Sequence, residues 1–174
     1  MKIAFLGKMG SGKSTFAGLL VIKHGYIKLS FAAKVKSIAV DLFRMNPNKK
    51  DREILQGIGM KMREIRENVW VDYLLEKINS FSYGSNIVID DCRFINEVQA
   101  LKEKGFIIIG LIPNEQRRMD TLKRLYGDIT EEQLNDSSES QVMEAMNEAD
   151  YIFMEHAENS IEKNYNVLKE IIGE

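Results

Sequence analysis

Four residues near the start of the chain, Gly7, Gly12, Lys13 and Ser14, carry the spacing G-x-x-x-x-G-K-[ST] within the stretch "FLGKMGSGKST". Glycine lets a backbone curl until successive N–H groups point inward at a phosphate. A lysine at this position reaches the β- and γ-phosphates of a nucleoside triphosphate. The serine hydroxyl can bind Mg²⁺ in the first turn of a helix, whose N-terminal end carries roughly half a positive charge. Gly7, Gly10, Ser11, Gly12, Lys13, Ser14 and Thr15 are therefore the expected triphosphate-binding residues, with Ser14 also on Mg²⁺. The loop predicts that a triphosphate binds and leaves open what receives its phosphate.

Phosphoryl transfer between two anions needs more cations than one lysine, and the chain's eight arginines are unevenly placed. Arg44, Arg52, Arg63, Arg66, Arg93, Arg117, Arg118 and Arg124 leave the first 43 and last 50 residues without one. An arginine fork binds phosphate oxygens in pairs and keeps its charge at any working pH. If the acceptor is a phosphate monoester, its second pKa is about 6, so it is mostly dianionic at neutral pH and needs no strong general base. Catalysis then reduces to positioning and charge neutralisation. A hydroxyl acceptor would instead want a carboxylate base, a role open to Asp91. Arg44 and Arg66 read as solvated surface, and Arg52 is even between surface and function. Arg63 leans towards function, and Arg93, just beyond an apolar strand, reads as functional. Spacing alone does not decide which of Arg117, Arg118 and Arg124 face the site.

These residues must be positioned by regular elements. "KIAFL" reads as a strand running into the glycine loop, and "KSTFAGLLVIKHG" as a helix closed by Gly25. "YIKLS" is a second strand, and "FAAKVKSIAVDLFRM" a helix that Pro47 forbids to continue. Residues 51–79 hold two amphipathic helical stretches, the first weakened by Gly57 and Gly59. "NIVIDDCR" and "FIIIGLI" are strands separated by the short helix "NEVQALKEKG". After the charged helix "EQRRMDTLKRLYG", the stretch "DITEEQLNDSSESQ" is polar and turn-rich. "ADYIFM" makes a fifth strand and "NSIEKNYNVLKEII" a final helix. Alternating strands and helices predict an α/β fold, a parallel sheet with helices on both faces, as a single domain over 1–174. Ligands of such sheets bind at the C-terminal edge of the strands, where the glycine loop, Asp91 and Arg93 fall.

The totals exclude several classes. A formal net charge of -2 gives no global positive field for nucleic acid. No segment approaches the ~20 apolar residues of a membrane span. The lone Cys92 forms no internal disulfide, and with His24 and His156 far apart it forms no metal cluster. Cys92 reads as a small buried side chain, and the chain as cytoplasmic. A GTPase switch would carry a D-x-x-G segment, which is lacking. A motor ATPase usually needs further domains, which 174 residues are not expected to supply.

Several segments together resemble the phage-type deoxynucleoside monophosphate kinases, within the wider group of nucleoside monophosphate kinases and dephospho-CoA kinases. They are "GKMGSGKST", "LSFAAKVKSIAVDLF", "DREILQGIGMKMRE" with "VWVDYLLEKI", "IVIDDCRFINE", and "ADYIF" with the helix after it. The resemblance implies a P-loop kinase fold with five parallel strands, an acceptor-binding helical region at about 32–80 and a small arginine-bearing lid at about 115–140. It implies transfer of the ATP γ-phosphate to a deoxynucleoside 5′-monophosphate in the presence of Mg²⁺. Lys13, Asp91, Arg93 and Arg124 are then the catalytic residues, and Arg118 joins the ATP site. Phe31, Arg63, Trp70, Asp91 and Arg93 bind the acceptor, although a core tryptophan is an equal reading of Trp70. Asp91 supports Mg²⁺ directly or through water. The D-x-R spacing selects Asp91 over Asp90.

The resemblance also implies small-molecule nucleotides as the only partners, a monomer or homodimer, and the host cytoplasm if the gene is a phage's. It departs at "DSSE", where relatives often show a histidine in the place of Asp136, which leaves Ser138 and Glu139 unassigned. His156 reads as a loop residue. Competing readings are a dephospho-CoA kinase or other small-molecule P-loop kinase, and a nucleotide-gated binding module signalling through 127–140.

Overall fold

The apolar run after Lys2 forms β1 (Lys2–Leu6), in which Ile3, Ala4, Phe5 and Leu6 are wholly buried. A strand buried on both faces belongs in the middle of a helix-covered sheet. That is its place in the computed structural model, which describes residues 1–49, 51–127, 137–155 and 160–174. The strands are β2 (Ile27–Leu29), β3 (Ile87–Cys92), β4 (Ile107–Ile112) and β5 (Tyr151–Met154), in the order β2-β3-β1-β4-β5. β1 pairs in parallel with β3 and β4, and β4 with β5. The expected five-stranded α/β sheet is the one observed.

The chain divides into two units, Met1–Lys28 with Gly84–Glu174, and Leu29–Tyr83. In the first, alternation along the strands separates two layers. Ile3 and Phe5 of β1 join Val88, Ile109, Leu111 and Phe153 in a cluster with Phe16 and Leu20 of α1 (Lys13–His24). Leu168 of the C-terminal helix completes it. On the opposite face of β4, Gly110 lets a short 3-10 turn (Met146–Glu148) come so close that a Cβ there would strike the Met146 sulfur. α5 (Ile95–Glu103) contacts that turn and β4.

The second unit holds α2 (Ala32–Phe43), α3 (Arg52–Ile65) and α4 (Val69–Asn79). Gly57 and Gly59 do not interrupt α3. Each costs about 1 kcal/mol against alanine, and packing against α2 and α4 outweighs that. Asp51 caps the helix, its carboxylate accepting the Ile54 N–H at 3.2 Å. Asn48 to Asp51 happen to spell the N-K-x-D of guanine-binding proteins, and this capping bond gives Asp51 a structural use instead. Arg44, exposed and left-handed at φ 58°, ends α2.

The remaining helices belong to the first unit: α6 (Glu115–Tyr126), α7 (Ser137–Ala145) and α8 (Ser160–Ile172). α7 corrects the expectation of a turn-rich segment through residue 141. Val142, Ala145 and Met146 are buried and α7 packs on α5, so tertiary burial overrides the weak helix formers at its start. Asp136 and His156 lie outside the described residues, as does the middle of the expected lid, 128–136.

Candidate active site

The sheet order puts the glycine loop at a switch point. β1 lies between β3 and β4, and the chain reaches its two neighbours in opposite directions, which opens a crevice beyond the strands' carboxyl ends. The loop leaves β1 at that edge. Gly10 and Gly12 sit at φ 80° and 89°, a region L side chains rarely adopt. Gly10 is also crowded, since a Cβ there would lie 2.9 Å from Leu122 Cδ2 on α6. No side chain caps the start of α1 and no acidic residue occupies its first turn, so its N-terminal N–H groups suit an anion.

Lys13 is only 7% exposed. Its ammonium folds back on its own loop, donating to the carbonyls of Gly7 (2.5 Å) and Lys8 (2.6 Å). Ser14 Oγ donates to Asp90 Oδ2 at 2.7 Å, so the hydroxyl of the loop is joined to the end of β3. The carboxylate that meets the loop hydroxyl is Asp90, 7% exposed, and half-buried Asp91 follows it where the register between β1 and β3 shifts. The D-x-R spacing carries no information on which of the two carboxylates meets the loop. Lys28, on the flanking strand β2, places its ammonium 2.5 Å from the same Asp90 oxygen.

Beyond β3 the backbone N–H groups of Arg93 and Phe94 both donate to Glu97 Oε2, at 2.8 and 3.1 Å. Glu97 is almost wholly buried, and it fixes the turn from which half-buried Arg93 projects. Cys92 is buried, as expected. Burial pushes its thiol well up, and the nearby Glu97 and Asp91 carboxylates add to the shift.

α6 bears on the loop from the other side. Arg118 is 5% exposed; it donates from Nη1 to the Met9 carbonyl at 3.1 Å and grips Glu115 through Nε and Nη2, the shortest contact being 2.7 Å. Hydrogen bonding to Arg118 holds the Glu115 carboxyl below its ordinary range. Arg117 pairs with Glu155 at 2.7 Å, and Arg124 is exposed near the end of α6.

The helical unit holds the remaining candidates. Arg63 Nη1 donates to the Gly59 carbonyl at 3.3 Å, and Phe31 is buried just before α2. Trp70 is 3% exposed and its indole N–H donates to Gly59 O at 3.0 Å. Burial of the ring and the bond from its N–H, which ties α4 to α3, fit the core reading of Trp70. Sequence reasoning missed Asp90 as the facing carboxylate, together with Lys28 and Glu97. A lone lysine within the apolar strand "YIKLS" was the only signal for Lys28.

Two shikimate kinase structures share this architecture. That of Acinetobacter baumannii, solved with shikimate, superposes with a TM-score of 0.63 at 14% identity, over 98% of this chain and 92% of that one. That of Bacteroides thetaiotaomicron gives 0.57 at 16% identity, over 99% and 98%. The fold is that of a P-loop kinase. No family model matches the chain. Among sequence relatives, the chain is 26% identical over 137 residues to the "Putative deoxynucleotide monophosphate kinase" of Acanthamoeba polyphaga mimivirus, covering 62% of this chain and 71% of the relative. It is 31% identical over 109 residues to an adenylate kinase of Borrelia turicatae, covering 58% and 46%. It is 29% identical over 106 residues to protein ORF76 of Ictalurid herpesvirus 1, covering 59% and 44%. The match thus spans less than half the length of two of these three relatives. Among the described residues no helix is long and apolar enough to cross a membrane.

Proposed function

We propose that the protein transfers the γ-phosphoryl group of ATP to a deoxynucleoside 5′-monophosphate in the cytoplasm, releasing ADP and the diphosphate. The observation that carries this reading is the hydrogen bond between Ser14 and Asp90 at the mouth of the glycine loop. It joins the triphosphate loop of β1 to the end of β3, where an acceptor would be met. The mimivirus relative's name supports the choice of acceptor, as does the resemblance of "IVIDDCRFINE".

An oxygen of the acceptor phosphate forms a bond to the γ-phosphorus as the bond from that phosphorus to the β–γ bridging oxygen breaks, and the electron pair leaves with ADP. Being mostly dianionic at neutral pH, the acceptor needs no proton removed. The Lys13 ammonium exchanges loop carbonyls for phosphate oxygens. The N-terminal N–H groups of α1 hold the β-phosphate. Ser14 and Asp90 supply a hydroxyl and a carboxylate, hard oxygen donors that suit Mg²⁺, which would neutralise phosphate charge there. Arg93 is assigned to the acceptor phosphate and Arg124 to the transferring group. Arg63 is assigned to the acceptor. The partners are nucleotides alone, and the protein acts as a monomer or homodimer.

The test is a coupled ADP-release assay across deoxy- and ribonucleoside monophosphates, with dephospho-CoA included. Release should require a monophosphate. Equal release without any acceptor would mark a slow hydrolase, and release only with dephospho-CoA a hydroxyl kinase.

A further inference from the structure

One oxygen of Asp90 carries two donors from opposite sides. The Ser14 hydroxyl reaches it from the loop after β1 at 2.7 Å, and the Lys28 ammonium from β2 at 2.5 Å. In the sheet order β3 lies between β1 and β2, so Asp90 separates the triphosphate loop from Lys28. The carboxylate side chain is nearly buried, whereas the Lys28 side chain is 41% exposed. The lysine can therefore let go into solvent at little desolvation cost, while Asp90 stays in place.

We infer that Lys28 is an acceptor-binding residue, an ammonium that leaves Asp90 for the acceptor's phosphate when metal–nucleotide loads on the loop. The inference rests on the phosphate-acceptor reading above. A divalent cation at the Ser14 hydroxyl adds two positive charges beside the carboxylate that now balances Lys28. The ammonium then faces a neutralised partner and a repelling charge. An incoming phosphate dianion is the anion that restores its balance, and it is drawn to the side of Asp90 away from the loop. A neutral hydroxyl acceptor offers no such counter-charge. Donor and acceptor binding are thereby coupled through a single lysine, and the coupling is reciprocal: each ligand tightens the other by the same factor.

The experiment is equilibrium binding by calorimetry, with no turnover. A panel of deoxynucleoside monophosphates is titrated into the full chain with and without Mg²⁺ and the β,γ-imido analogue of ATP. The wild-type protein should bind its preferred monophosphate about tenfold more tightly when the analogue is present. In Lys28→Met the gain should vanish while the analogue alone still binds, and in Lys28→Arg it should persist. Thermal melting of each variant separates this from a structural role, which would lower the melting temperature and leave the coupling intact. Coupling undiminished in Lys28→Met, or absent in wild type, overturns the inference and leaves the acceptor assignment standing. If no monophosphate binds wild type under either condition, the proposed function fails, and this inference with it.

Discussion

Charged residues in the sheet unit and in the helical unit are held in different ways. Around the glycine loop, Lys13 and Arg118 are buried and spend their donors on the carbonyls of Gly7, Lys8 and Met9 or on Glu115. Asp90 is nearly buried and shared by Ser14 and Lys28. On the helical unit, Lys61 and Glu64 form an open surface pair, with 75% and 58% of their side chains exposed, and Arg44 and Arg66 stand in solvent. Removing a partner from a buried charge leaves an ion or a carbonyl unsatisfied, whereas an exposed pair is worth about 0–1 kcal/mol. The same residue types thus report on fold and chemistry together in one region and on almost nothing in the other.

The sharpest break of that contrast is Lys13→Ala. Turnover should fall at least about a thousandfold with every acceptor, equivalent to about 4 kcal/mol of lost transition-state stabilisation. Next comes the pair of carboxylates. Asp90→Asn should cost about a hundredfold in kcat/KM and raise the Mg²⁺ requirement, and Asp91→Asn clearly less. The reverse ranking in steady-state kinetics would return the role to Asp91.

Arg118→Met should lower stability by about 2 kcal/mol in urea denaturation, because the Met9 carbonyl loses a charged donor. Lys61→Ala, by contrast, should stay within about 0.5 kcal/mol of wild type. Trp70→Phe removes one bond to Gly59 and should cost about 1 kcal/mol with acceptor KM unchanged. A changed KM at wild-type stability would favour its place in the acceptor pocket instead.

The smallest effect is on the acid side. Glu115 has its pKa lowered in the folded chain by the hydrogen bond from Arg118. The folded state therefore binds this proton less readily than the unfolded state. Its contribution is present above the ordinary glutamate value and is lost as pH falls through the lowered one. Glu115→Gln should flatten that part of the stability–pH curve. The loss is small because the carboxylate is mostly solvated.

Much of the candidate site was legible in advance. The glycine loop is contiguous in sequence, so its residue spacing alone sets which backbone groups converge, and Lys13 and Ser14 sit where the motif requires. Five strands were readable because apolar runs between turn signals are local. Arg93 could be placed because a charge just past a buried strand must lie at its edge.

What remained hidden depended on packing between distant segments. Whether Asp90 or Asp91 meets Ser14 is set by how the end of β3, where its register with β1 shifts, lies against the loop, and it is written in neither residue. Lys28 joins the site only because β2 lies beside β3. Trp70 reads equally as a wall or a core until Gly59 offers its carbonyl. Arg118 had no visible partner until α6 came down on Met9. Local spacing determined the phosphate loop and the alternation of elements. The tertiary structure alone decided which charges share an oxygen, because hydrogen bonds and ion pairs act over a few ångströms between residues whose sequence separation carries no memory of distance.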